Sequence, residues 1–274
     1  IDTNTTYLVF PETALQETFW ENDIQNTQSI HRLKTFLKKY PKLKIVVGAS
    51  THYHYGKDEK ISATARKFTD SDEYYDSYNT ALQIDSSNEL QIYHKSKLVP
   101  GVEKMPYPQI FGFLEQLAID LEGTSGSLGI QEERSVFHSP NGEFKIAPVI
   151  CYESVYGEYV TNYLHKGADF IFILTNDGWW GDTPGYKQHL AYASLRSIET
   201  RKWIARSANT GISCFVSPTG ELLQKTDWWK EAVIKGTLVL DSHETFYTQY
   251  GDYIARAAMW LAALIFIFAF VKKM

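Results

Sequence analysis

The chain has 274 residues, enough for one large domain with a deep core or two modest ones, and its apolar (44%) and charged (22%) fractions exclude disordered and collagen-like classes. A formal charge of −5, with no basic stripe, argues against a nucleic-acid partner. Two cysteines, Cys151 and Cys214, lack CxxC neighbours, which leaves metal and thioredoxin-like readings unsupported and one structural disulfide as an open alternative.

In chain order, "IDTNTTYLVFPETAL" reaches a strand-like run almost at once and reads as a start inside a longer protein. Strands are expected at 7–10, 44–50, 79–85, 90–95, 135–139, 143–151, 169–175, 211–217, 220–226 and 232–240. Helices are expected at 27–40, 108–122, 154–166 and 185–201, where apolar residues recur at helical spacing. "SPNG" and "SPTG" are hairpin turns, with Pro and Gly supplying the constrained angles. "IAPVI" and "FIFIL" are apolar on both faces and read as covered central strands of an α/β or layered α+β domain. No repeat, low-complexity tract or linker appears before about residue 245. From Ala257 to Val271 the chain is unbroken apolar sequence followed by Lys272 and Lys273. With residues 254–256 added, a helix there reaches about 27 Å, close to a bilayer core of about 30 Å. A transmembrane helix over 254–271 is expected. The two lysines then place the C-terminus in the cytoplasm and the rest of the chain outside. The alternative is a buried terminal helix.

Three segments carry candidate chemistry. In "KIAPVICYESVYGEYV", Cys151 stands where a strand ends and a helix begins, so its sulfur points out of the sheet beside free backbone N–H groups. On that segment alone a small buried hydrophobe explains Cys151 better. A thiol nucleophile needs a base, because an unperturbed cysteine is mostly protonated at neutral pH. "LVFPETAL" puts Glu12 just past a strand, and "IYHKSKLVPGVEKMPYP" puts Lys95 at the end of another, with Glu103 eight residues on. Singly each is an ordinary surface charge; at strand ends they can converge on one cleft. Asn176, Asp177 and Asp182 are expected to shape a loop, His189 to be a helix-surface or packing residue, and Cys214 to be core. "DWW" at 227–229 fits a membrane interface or an exposed hairpin.

"FPETAL", "YHKSKLVPGVE", "PVICYE" and "LTNDGWWGD" resemble, in order and spacing, motifs of the nitrilase superfamily. "K-x-x-LVP-x-x-E", "ND-x-W-x-GD", "RSANTGIS-x-F-x-SPTGEL" and the apolar C-terminus look like its apolipoprotein N-acyltransferase branch. The resemblance runs from residue 7 to the end. It implies an αββα sandwich over 1–245 followed by the membrane helix, with a Glu–Lys–Cys triad and neither metal nor organic cofactor. Residue by residue, Glu12 would be the general base, Cys151 the nucleophile, and Lys95 the oxyanion partner together with the N–H of Tyr152. Glu103 and Glu153 would support them, and Trp179, with Trp180 and Asn176, would meet lipid. The implied partners are a phospholipid acyl donor, a diacylglyceryl-apolipoprotein acceptor and a bacterial inner membrane, with the catalytic domain periplasmic and monomeric. The family commonly has Phe-Gly-Glu after "LVP", whereas this chain has Gly101-Val102-Glu103. The resemblance also puts the fold's first strand and a preceding bundle of membrane helices outside this chain, which alone is then expected to fold poorly and lack activity. Two other functions compete: a soluble nitrilase-type amidohydrolase of a small amide, and a catalytically silent membrane-tethered binding domain.

Overall fold

The computed structural model describes residues 1–87, 89–104, 127–139 and 142–273. The helix expected at 108–122, and residues 140–141 of the first turn, lie outside them. Twelve described strands form two mixed sheets. The first sheet holds β1 (Tyr7–Val9), β2 (Leu15–Trp20), β3 (Lys44–His54), β4 (Arg66–Lys67), β5 (Tyr74–Ile84) and β6 (Leu90–His94). Its axis is the long antiparallel pair β3–β5, with Val47 opposite Leu82. β1 and β2 run parallel to β3 along one edge, and β6 and β4 line the outer edge of β5. The second sheet has β7 (Phe137–His138), β8 (Lys145–Ile150), β9 (Phe170–Asn176), β10 (Ile204–Asn209), β11 (Cys214–Val216) and β12 (Leu222–Leu223), in sequential order.

Side-chain alternation assigns the faces. Ile45, Val47 and Ala49 of β3, with Leu82 and Ile84 of β5, pack with Ile30 and Leu37 of helix α1 (Gln28–Leu37). Val46 and Ala81, one residue out of phase, join the core between the sheets, against β8 and β9. β8, β9 and β10 are parallel, so each step needs a crossover, supplied by α2 (Gly157–His165) and α3 (Gly185–Thr200). Tyr159, Val160 and Tyr163 of α2 and Leu190 and Ala193 of α3 cover the other side of this sheet. The layers are therefore helix, sheet, sheet, helix. The carboxyl ends of β8, β9 and β10 share one rim, with Asn176 opposite Asn209. Ligand sites of parallel sheets form at such a rim.

The structure departs from the expected elements at several places. Residues 232–240 enter no ladder among the described residues. Leu238 packs on the core while Val233 is 95% exposed, so the apolar residues there do not share one buried face. β10 was not expected, because "IARSAN" is half polar; it forms since β9 supplies its ladder and Arg206 is satisfied internally. β2, the two-residue β4 and the short helix α4 (Phe246–Tyr250) were also not expected. Cys151 and Cys214 are both free and buried, which removes the disulfide alternative.

The chain ends in α5 (Tyr253–Lys273), whose span Tyr253–Lys272 has a mean hydropathy of 2.3 and no buried residue. Its 20 residues span about 30 Å, long and apolar enough to cross a bilayer. The alternative of a buried terminal helix does not hold. Glu158 of α2 anchors its start, accepting from the Asp252 N–H at 2.7 Å and pairing with Arg256.

Gly48 sets how closely the loop after β1 lies on β3. Its N–H donates to Pro11 O at 3.1 Å. A Cβ there would stand 2.5 Å from Thr13 N and 2.6 Å from Glu12 Cα, both backbone atoms. Gly48→Ala is therefore expected to push the Glu12 loop off the sheet and to cost about 1–3 kcal/mol. A lowered denaturation midpoint checks this.

Candidate active site

Four chain segments meet at the rim. Glu12 follows β1 and is 4% exposed; Lys95 follows β6 and is 1% exposed; Cys151 follows β8; Asn176 ends β9. Lys95 Nζ donates to Glu12 Oε1 at 2.9 Å and to Glu103 Oε1 at 2.7 Å. Asn79 of β5 holds the same two carboxylates, its Nδ2 lying 2.7 Å from Glu12 and 2.8 Å from Glu103. The backbone N–H of Asn176 caps Glu12 Oε2 at 2.8 Å, and that of Val99 caps Glu103 Oε2 at 2.8 Å. The "PGVE" turn takes its shape from Gly101, at φ +86°, so the departure from Phe-Gly-Glu still delivers the glutamate to the lysine.

Cys151 begins a 3-10 turn, Cys151–Val155, with φ at +48°. A non-glycine residue there carries roughly 1–2 kcal/mol of strain, and the surroundings must hold it. Thr13, directly after Glu12, has the same φ. Burial and the Glu12 charge push the Cys151 thiol up to about 12, although Lys95, the Thr175 hydroxyl and the Asn176 N–H act the other way. The sulfur thus rests as a thiol beside a carboxylate. For Lys95, burial alone would favour the neutral amine. The charges of Glu12 and Glu103 outweigh it and raise the lysine above its ordinary value, so it stays an ammonium.

Glu153 is fully buried and joins the strand ends that carry Lys95 and Cys151. Its Oε2 accepts from the N–H of Ile150, just before Cys151, at 2.8 Å. Its Oε1 accepts from the N–H of Ser96, just after Lys95, at 2.7 Å, from Tyr93 Oη at 2.8 Å and from Tyr159 Oη. Burial raises this carboxyl above its usual range, against the pull of these donors. One side chain therefore fixes β6 and β8 at the two positions that carry Lys95 and Cys151.

The expected residues do not all enter this cluster. Glu12, Lys95, Glu103, Cys151 and Asn176 converge, and Glu153 braces them from behind. Tyr152 is half-buried against Tyr156, at 5.4 Å between ring centroids. Trp179 is 74% exposed and Trp180 42%, outside the hydrogen-bonded cluster; Trp180 lies over Gly185, where a Cβ would strike its ring. Sequence reasoning missed Asn79, hidden inside a strand, and of the two places expected for His189 the structure gives the buried, packed one. His189 is 3% exposed, with Nε2 3.1 Å from Cys151 O and Nδ1 2.9 Å from the buried Asp177. Asp177 also pairs with Arg206 at 2.8 Å. Burial would raise the Asp177 carboxyl, but His189 and Arg206 hold it below its usual range.

The Carbon-nitrogen hydrolase family model matches residues 2–247. The apolipoprotein N-acyltransferase of Chlorobaculum tepidum is 36% identical over 203 residues, which is 73% of this chain and 38% of that protein. The one from Bdellovibrio bacteriovorus is 28% identical over 98% of this chain and 46% of its own length. The chain thus spans less than half the length of these curated relatives. Among solved structures, an amidase of the nitrilase superfamily from Nesterenkonia matches with a TM-score of 0.53 at 15% identity, covering 93% of this chain and 84% of its own. A CN-hydrolase superfamily protein of Xanthomonas campestris matches with a TM-score of 0.56 at 15% identity, covering 86% and 78%. These likenesses agree with the sandwich seen here. The chain belongs to the carbon–nitrogen hydrolase family, with a nitrilase-type fold.

Proposed function

We propose that this chain carries the acyl-transfer site of an apolipoprotein N-acyltransferase. Cys151 takes a fatty acyl chain from a phospholipid and passes it to the N-terminal amine of a diacylglyceryl-cysteine lipoprotein. The observation that carries this reading is the convergence of Glu12 and Lys95 on the strained Cys151 turn. Likeness to proteins of that name and the fully exposed apolar helix α5 favour a lipid substrate over a small soluble amide.

The chemistry follows from the resting states. As the sulfur attacks the ester carbonyl, Glu12 takes the S–H proton, and the carbonyl π electrons move onto oxygen. Lys95 and the N–H of Tyr152 hold that oxyanion, the lysine acting through its charge while it keeps its proton. On collapse the C–O bond breaks, and the departing glycerol oxygen takes the proton from Glu12. The thioester conserves transfer potential. In the second half the lipoprotein amine attacks the same carbonyl, Glu12 takes one N–H proton, and the C–S bond breaks. The departing sulfur recovers the proton, leaving an amide and the free thiol. Glu103 and Glu153 position Lys95 and the turn, and Trp179, Trp180 and Asn176 border the lipid approach. The sandwich, residues 1–245, would stand on the periplasmic side as a monomer. The helix over 254–271 would span the inner membrane, with Lys272 and Lys273 in the cytoplasm.

Carried within a protein of its relatives' full length and incubated with phosphatidylethanolamine vesicles, the chain is expected to gain one acyl chain at Cys151, and Cys151→Ala none, by intact and peptide mass. An unmodified Cys151, under conditions that load an authentic N-acyltransferase, would sink the reading. A thiol pushed up to about 12 gains thiolate tenfold with each pH unit below that value. Alkylation of Cys151 by iodoacetamide should therefore climb without a plateau from about pH 7 to about pH 10. A plateau near neutrality would mean a resting thiolate and leave Glu12 no proton to take.

A further inference from the structure

We infer that His189 is a positioning residue for the nucleophile. Its ring, fixed by Asp177 and Arg206, contacts the backbone carbonyl of Cys151 and the Ser154 hydroxyl beside it, and holds Cys151 in its left-handed conformation. The inference rests on the acyl-transfer reading for its purpose but not for its geometry.

One ring proton can be assigned from its acceptor. Asp177 is a buried carboxylate and only accepts, so His189 Nδ1, 2.9 Å from its Oδ1, carries a hydrogen. On the other side, Nε2 lies 3.1 Å from Cys151 O and 3.1 Å from Ser154 Oγ. The Ser154 hydroxyl also lies 2.8 Å from Cys151 O. Nε2 is served there in either form: a hydrogen on it bonds the two oxygens, and a lone pair accepts the Ser154 hydroxyl. The ring is therefore clamped between a carboxylate and the Cys151 turn. Arg206 keeps the carboxylate aimed, at 2.8 and 3.2 Å, and is itself tied to Ile212 O at 2.6 Å. Thr175 Oγ1 adds a contact to Asp177 at 3.2 Å. Gly211 leaves the room this needs, since a Cβ there would lie 2.2 Å from Asp177 Oδ2.

Two buried clusters thus flank Cys151: Glu12, Glu103 and Lys95 on one side, and Asp177, His189 and Arg206 behind its carbonyl. The Cys151 peptide, held by the second, stays in the strained turn.

The test uses the whole chain in detergent micelles. Cys151 alkylation should slow by about tenfold or more in His189→Leu, which fills the space without a donor. It should largely recover in His189→Gln, whose amide N–H can reach the carbonyl. If Leu and Gln behave alike, whether at the wild-type rate or equally slowed with matched melting temperatures, His189 is packing and the proposal fails. A Leu–Gln split in a chain that takes no acyl group from lipid would keep this proposal and discard the acyl-transfer reading.

Discussion

The whole site depends on one buried cation. Lys95 lies almost completely out of water between Glu12 and Glu103, with Asn79 bridging the same carboxylates on their other side. A buried ammonium is tolerable only when paired and hydrogen-bonded, and removing one partner of such a pair costs roughly 3–5 kcal/mol. The loop after β1, the end of β6 and the "PGVE" turn are thereby held to one point. Burial and their net charge also keep the neighbouring sulfur protonated, the resting state from which the proposed mechanism starts.

Glu153 solves a different problem. Cys151 and Lys95 belong to different sheets, and packing alone leaves two sheets free to slide by fractions of an ångström. A buried carboxylate bonded to the N–H groups of Ile150 and Ser96 sets their separation through the residues next to the reacting ones. The hydroxyls of Tyr93 and Tyr159 complete its hydrogen bonding, which makes its burial bearable. The strained conformations of Cys151 and Thr13 persist within this frame, at the two places where a side chain must be aimed.

Much of this is legible in the residues, and the rest fails for identifiable reasons. Glu12, Lys95 and Cys151 each stand directly after an apolar strand, where a polar residue has few structural uses, and their motifs come in order. Glu153 is visible because it sits two residues from the cysteine. Asn79 is not, since its strand reads as packing and its carboxylate partners are 67 and 24 residues away. The Asp177, His189 and Arg206 group is hidden for the same reason: its members come from a strand end, a helix and a half-polar strand. Residues 232–240 mislead in the opposite direction: their apolar, β-branched composition reads as a strand, yet Leu238 packs on the core and Val233 is exposed.

The central claim is that Glu12 takes the Cys151 proton at the moment of attack. The measurement that tests it most directly is the single-turnover rate of acyl loading on Cys151 in Glu12→Gln, which keeps an oxygen for the Asn176 N–H but loses the base. The account predicts a fall of about a hundredfold to ten-thousandfold with the fold retained. Loading at the wild-type rate would contradict it.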